Sequence, residues 1–211
     1  MQLSRLQDRI DRGRGSAARQ IGAPYDAFRP VSTAAPLAPE NRFIRMPAAF
    51  TPADASFRRP TAYGTATWLG IFDSAYTQPG DFLAGPGGVF FIAAQQSLLP
   101  TLCVLASRTV SISRPAAPTQ PGINTYGGVI IGDAKAILTD WPASILSAGG
   151  SSPGTLPGDA NIPSWSILLP CTPVPLRPAD LVQDDMGRTY VIGTAELTAL
   201  GWRILAKQAA T

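Results

Sequence analysis

The chain is read as mainly β: one or two small barrel or sandwich units behind an N-terminal helix and an extended proline-rich arm. Three observations lead there. Only 15% of the 211 residues are charged, against about 25% in an average globular domain. Glycine and proline are plentiful, 20 and 21 residues, and such turn formers rule out a helical bundle. The 45% of apolar residues gather in short runs bounded by glycine and proline, the texture of strands. A chain this long has room for one large domain or two small ones.

The elements follow in order. Leu3, Leu6, Ile10, Ala17 and Ile21 are spaced near a helical stripe. Gly13 and Gly15 interrupt it, so a helix of about ten residues and a short second turn are expected. Residues 22–60 hold Pro24, Pro30, Pro36, Pro39, Pro47, Pro52 and Pro60, which argue against long helices and central strands. They also hold Tyr25, Phe28, Phe43, Phe50 and Phe57, and disordered linkers are poor in aromatics. Residues 1–60 therefore read as a helix and an arm lying largely outside the β-core. The arm's aromatics Tyr25, Phe28, Phe43 and Phe50 are expected to anchor on other subunits.

A first β-unit spans 61–115. Phe82-Leu83 and Val89 to Ile92 flank Gly85-Pro86-Gly87-Gly88 as a hairpin. Leu102 to Leu105 and Thr109 to Ile112 supply further strands. Residues 116–163 read as a Pro/Gly-rich connector carrying a hairpin around Gly132-Asp133 and a polar loop over 147–163. A C-terminal β-unit, 164–211, opens with SWSILLPC and turns at Asp184-Asp185-Met186-Gly187. The two β-units align without gaps at an offset of 99 residues: Asp81 with Asp180, Phe82-Leu83 with Leu181-Val182, Gly88 with Gly187, and Phe91-Ile92 with Tyr190-Val191.

Chemistry is limited by what the chain lacks. With no histidine, Ser-His-Asp and Cys-His catalysis and histidine metal sites are excluded. Cys103 and Cys171 cannot make a four-cysteine zinc site. Both sit in apolar stretches and read as buried free thiols, with a disulfide as the alternative. The GPGG run lacks the Lys-Ser/Thr of a phosphate loop. Asp184-Asp185 reads as a solvated turn, and Asp133, Asp140 and Asp159 show no motif spacing. Trp68, Trp141, Trp165 and Trp202 read as core or interface anchors, with a sugar-binding face as the alternative. No enzyme activity and no cofactor or metal are expected. The N-terminus shows no apolar signal core and no run is long enough to span a membrane, which points to a reducing cytoplasm or a particle assembled there.

Charge is uneven. Residues 1–60 hold ten arginines and five acids; the remainder holds seven bases and nine acids. Arginine suits desolvated ion pairs and phosphate contacts. Arg42, Arg45, Arg58 and Arg59 are expected to pair with acids on neighbouring subunits, with a nucleic-acid backbone as the competing partner.

The opening RGRGSAARQIGAPYDAFRP, the central PGDFLAGPGGVFFIAAQQSLLPTLCVLASRTVSISRP and the ending DLVQDDMGRTYVIGTAELTALGWRILA resemble virion structural proteins of tailed bacteriophages and prophages. The resemblance is to neck and tail proteins of the head–tail connector or stopper type. It implies a homo-oligomeric ring or collar in the virion, assembled in the host cytoplasm, with other neck and tail proteins as partners. It also implies passing contact with packaged DNA and no membrane. A carbohydrate- or receptor-binding module of a tail or baseplate is the alternative function, and a carboxylate hydrolase a more distant one.

Overall fold

The computed structural model describes residues 3–54, 64–116, 132–148 and 163–209. Among these residues there is one α-helix, α1 (Leu3–Ile21), and two closed six-stranded barrels. The first barrel comprises β1 (Ala23–Phe28), β2 (Arg42–Pro52), β3 (Thr67–Ile71), β4 (Phe82–Gly85), β5 (Gly88–Ala94) and β6 (Thr101–Ala106). The second comprises β7 (Arg108–Ala116), β8 (Gly132–Ser147), β9 (Ser164–Leu169), β10 (Leu181–Asp184), β11 (Thr189–Thr198) and β12 (Gly201–Gln208). Closure leaves neither sheet with an open edge.

The barrels share one connectivity. The first runs β1-β2-β3-β6-β5-β4 and closes on β1; the second runs β7-β8-β9-β12-β11-β10 and closes on β7. Their ladders also share a register. Ala27 faces Leu83 as Ile112 faces Val182, and Leu83 faces Phe90 as Val182 faces Tyr190. Both carry a bulge at one place, between Ile92 and Ala94 and between Ile192 and Thr194. Through these ladders Arg29-Pro30 matches Arg114-Pro115, Pro47-Ala48 matches Pro142-Ala143, and Trp68 matches Trp165.

The repeat is therefore present but longer than the gapless alignment, and shifted within it. Asp81, Phe82 and Leu83 do match Asp180, Leu181 and Val182. The β10–β11 turn holds one extra residue, so Tyr190 corresponds to Phe90, and Phe91 corresponds to Val191.

Several expectations need correction. The proline-rich segment is not outside the β-core, because β1 and β2 are two of the first barrel's six strands. Pro24 and Pro47 face each other across β1 and β2 and Pro52 ends β2, while Pro30, Pro36 and Pro39 lie between the strands. The boundary at 60/61 thus cuts the first barrel. That at 115/116 falls at the end of β7, inside the second, which starts at Arg108 and also includes β8 from the supposed connector. Gly132 begins one continuous strand rather than turning a hairpin. The loop over 147–163 and the connector over 116–131 lie almost wholly outside the described residues. α1 is one helix of 19 residues. Glycine inside a helix costs about 1 kcal/mol, and Gly15 earns its place by contact: a Cβ there would sit 3.0 Å from the Asp73 Cβ.

The first barrel is filled by Tyr25, Ala27, Met46, Ala48, Phe72, Leu83, Phe90, Ile92 and Cys103. Phe50 stacks on Phe90 with centroids 3.8 Å apart. Tyr25 packs edge-on to Phe50 and Phe90, and its hydroxyl accepts a hydrogen bond from the Gly87 N–H at 3.0 Å. That ring lies so close to Gly85 and Gly87 that a Cβ at either would meet it at 2.5 Å. The hairpin glycines are thus dictated by the tyrosine beneath them.

The second core is continuous with the seam between the barrels. Phe28, Phe82, Phe91, Ala93 and Val104, on the outer wall of the first barrel, join Trp141, Leu169 and Trp202 of the second in one buried cluster. Phe82 meets Trp141 edge to face at 6.0 Å. The chain between β1 and β2 straps the barrels together. Ala35 N–H donates to Thr139 O, Thr139 N–H to Thr33 O, and the Trp141 indole to Thr33 O. The segment does grip a neighbour, and that neighbour is the second barrel of its own chain.

Candidate assembly surface

The buried polar groups come first, because a chemical site would draw on them. Asp81 is held by Arg29, whose Nε and Nη2 donate to its two oxygens at 2.8 and 2.7 Å, and by the Gln78 N–H. Asp180 is held identically by Arg114, at 2.7 and 2.9 Å, and by the Arg177 N–H. In both cases the hydrogen bond to the carboxylate pushes the arginine's pKa up, outweighing burial. Each carboxylate precedes its barrel's fourth strand; Arg29 follows the first strand of its barrel, and Arg114 lies near the end of the first strand of its own. The pairs therefore tie together the two strands whose pairing closes each barrel. The residue before each aspartate has a positive φ, 95° at Gly80 and 70° at Ala179, which aims the carboxylate inward.

Asp184 is buried rather than solvated. It accepts from the Met186 and Arg188 N–H groups and from the Tyr190 hydroxyl. Burial first, then this hydrogen bond, pushes the Tyr190 phenol up. Asp11 on α1 accepts from Gln7 and Ser74. Each of these carboxylates is committed to holding the fold. Asp140 is exposed at the surface, Asp159 lies outside the described residues, and nothing is described of the Asp133 side chain. Among the described residues no three potential metal ligands cluster. Cys103 is buried and Cys171 exposed, both free; the expectation that both are buried fails for Cys171, which follows the end of β9.

The tryptophans form no exposed platform among the described residues. Trp141 and Trp202 are buried. Trp68 and Trp165 occupy matching positions, packed edge to face on Phe90 at 5.7 Å and on Tyr190 at 5.8 Å. Their indole nitrogens are buried without a hydrogen-bond partner among the described residues.

The expected interface residues divide. Tyr25 and Phe28 are buried within the chain, and Phe50 is half-buried against the first core. Tyr25 and Phe50 face into the first barrel because strand residues alternate, Met46, Ala48 and Phe50 sharing the inner face of β2, while Phe28 faces the seam with the second barrel. Phe43 is exposed, with the Arg29 guanidinium 4.7 Å above its ring. Arg42 and Arg45 pair with Asp26 of their own chain, at 2.9 and 3.7 Å. Arg58 and Arg59 lie outside the described residues. Thus Arg42, Phe43 and Arg45 remain at the surface of β2, Tyr25 and Phe50 build the first barrel, and Phe28 builds the seam.

What reaches outward lies elsewhere. α1 docks on the barrel through Asp11, Gly15 and Ala18, which are buried. Most of its apolar stripe turns away from the barrel, with Ile10 half-buried at its middle. Leu3, Leu6 and Ile21 are exposed, Leu3 by 61% and Ile21 by 67%. At about 100° per residue the stripe sits about a third of a turn from the docking face. The α1 end is fixed to the loop before β6: the Leu98 N–H donates to Gln7 and Arg14 donates to the Leu98 carbonyl. Leu98 and Leu99 there are exposed as well. The stripe was visible in sequence; that it faces away from the barrel was not, since periodicity does not say which side a helix docks.

Compared with protein-family models, with curated proteins and with solved structures, the chain matches none.

Proposed function

We propose that the protein is a structural component that works by assembling with copies of itself, of the ring or collar kind found at the neck or tail of a tailed-phage virion. The observation that carries this reading is the apolar stripe of α1. A surface helix ordinarily turns such a stripe to the core. Here a small, polar face docks instead and the leucines are presented outward, with Leu98 and Leu99 beside them. Two closed barrels, latched by buried ion pairs and strapped together, give a rigid block on which to mount that surface. The buried carboxylates serve structure, which supports a protein without turnover. Particle location, neck and tail partners and passing DNA contact belong to the same proposal and rest on the family resemblance.

The test is the mass of the full chain in solution across micromolar concentrations. A mass above the monomer, lost on replacing Leu3 and Leu6 with aspartate while the fold is retained, supports the reading. A monomer throughout overturns it. Locating the chain in a particle reconstruction tests the virion part separately.

A further inference from the structure

The two barrels are alike, yet only one has its outer wall covered. On the first barrel, Phe82, Phe91 and Val104 form a cross-strand row over β4, β5 and β6. All three are buried, at 0, 1 and 4% exposure, because the second barrel sits on them. The matching row on the second barrel is Leu181, Val191 and Lys207 over β10, β11 and β12. Leu205 of β12 matches Leu102, which packs against the seam. Val191 and Leu205 are exposed by 36 and 41%.

The covering group has a counterpart too. The second barrel reaches the first with Trp141, Leu169 and Trp202, at one end of its strands. Through the ladders these match Met46, Phe72 and Leu99 of the first barrel. Met46 and Phe72 are buried, under the end that α1 caps through Asp11 and Ser74. Leu99 stands outside, next to Leu98 and the exposed leucines of α1. So the second barrel carries an uncovered wall, and the first carries an uncovered apolar tip.

We infer that the Leu181–Val191–Leu205 wall of one copy receives the α1 and Leu98-Leu99 tip of a second copy, repeating between chains the relation that joins the barrels within one chain. The seam inside the chain is the precedent. In this fold that wall is what another barrel's end covers. The outer wall differs from the inner one as an inter-chain contact should. Leucine and valine replace phenylalanine, and Lys207 replaces Val104, so the surface is less apolar and tolerates exposure before assembly. The relation inside the chain is one-way: the second barrel's end covers the first barrel's wall, while the first barrel's tip leaves the second barrel's wall bare. Repeated between chains, it is heterologous and leads to a closed ring or an open chain. This inference rests on the assembly reading above and names its surfaces.

The experiment uses the full chain and two double variants, V191D/L205D in the wall and L3D/L99D in the tip. All four positions are exposed, and circular dichroism with thermal melting checks that each variant folds. Mass is measured up to about 100 μM, above the micromolar Kd expected of a weak interface. The expected result has three parts. The wild-type chain passes beyond a dimer. Each variant alone is a monomer. An equal mixture of the two variants forms dimers, because one wall and one tip remain intact. Wild-type assembly that survives V191D/L205D overturns the wall assignment while leaving the assembly reading in place. A wild-type species that stops at a dimer, or variants whose mixture stays monomeric, overturns the heterologous pairing. A wild-type monomer overturns both.

Discussion

Arg29 grips Asp81 through two parallel hydrogen bonds of 2.8 and 2.7 Å, bridging the end of β1 to the start of β4. The same fork joins Arg114 to Asp180 in the second barrel. In each, the carboxylate is almost fully buried and the arginine is partly open to water. Bidentate arginine–carboxylate contacts combine charge with fixed geometry. Removing the carboxylate breaks the fork and leaves the Gln78 or Arg177 N–H without its acceptor. Asp81→Ala and Asp180→Ala should each destabilise by about 1.5–3 kcal/mol, the range for hydrogen bonds to charged groups. Urea unfolding measures both. If either variant is as stable as the parent, the fork does not help close that barrel.

Phe91 and Tyr190 do different work, although a gapless comparison of the sequence pairs them. Phe91 lies in the seam and Tyr190 inside the second barrel. Phe91→Ala should cost about 3–5 kcal/mol, as for other buried phenylalanines, and loosen the contact between barrels. Tyr190→Phe keeps the ring and loses the hydroxyl bond to Asp184, costing about 1 kcal/mol. Hydrogen exchange should separate them: with Phe91→Ala, protection falls first along β5 and the facing end of β8. Uniform loss across both barrels would put Phe91 in the wrong role.

How much of this was legible follows from the residues themselves. The hairpin at Gly85 to Gly88 and the strands around it were readable, because turn glycines and apolar runs are local signals. So was Asp81 with Asp180, since both follow a proline by two residues. The roles of Tyr25 and Phe50 were not. Prolines at 24, 47 and 52 mask two strands, and barrel closure is a long-range event that joins β1 to β4 across more than fifty residues. The repeat's register was hidden by one extra residue in the 185–187 turn, which moves the partner of Gly88 from Gly187 to Arg188 and shifts everything after it. The outward leucines of α1 were visible as a stripe, but only the docked structure shows that Asp11, Gly15 and Ala18 take the inner face.

Deleting residues 1–60 should unfold the first barrel, because it removes β1 and β2 along with the Tyr25 and Phe50 rings. Deleting only residues 1–21 should leave both barrels folded and lower the stability modestly, since α1 buries little beyond Gly15 and Ala18. Circular dichroism and limited proteolysis of the two truncations decide it. A well-folded chain lacking 1–60 would mean that the remaining strands close without β1, against the pairing seen here.

The two cysteines should differ sharply in reactivity and in their effect on pH stability. Cys103 is buried in the first barrel, and burial alone pushes its thiol up, far beyond the usual range. The thiolate is the reactive form, so a thiol reagent should label exposed Cys171 promptly and Cys103 only on unfolding. An unfolded cysteine titrates at about 8.5. The folded pKa lies above that, so the stabilisation is complete below about 8.5 and is lost as pH rises beyond it. The decline should approach about 1.4 kcal/mol per pH unit. Cys103→Ala should flatten it between pH 8 and 9.5 or so, below the range where tyrosines titrate. An unchanged slope would assign the alkaline decline to other groups.

The arginines of β2 should not make the protein a grip for nucleic acid. Arg42 and Arg45 converge on one carboxylate, Asp26, and the Arg29 guanidinium is taken by Asp81 and the Phe43 ring. Duplex binding depends on releasing counterions from phosphates, each neutralised by a free base. A base already paired brings less, because its partner must be given up. The Asp26 pairs are half-exposed, and such pairs contribute only about 0–1 kcal/mol each, so they restrain the arginines without locking them. The expectation is weak duplex binding at about 150 mM salt, no tighter than the micromolar to sub-millimolar range of non-specific contacts. Fluorescence anisotropy with a labelled duplex measures it. Asp26→Asn gives the sharper comparison, since it frees both arginines without altering their number. If pairing is what restrains them, this variant binds duplex more tightly than the parent and depends more steeply on salt. Tight binding by the parent, abolished by R42A/R45A, would instead assign this face of β2 to nucleic acid.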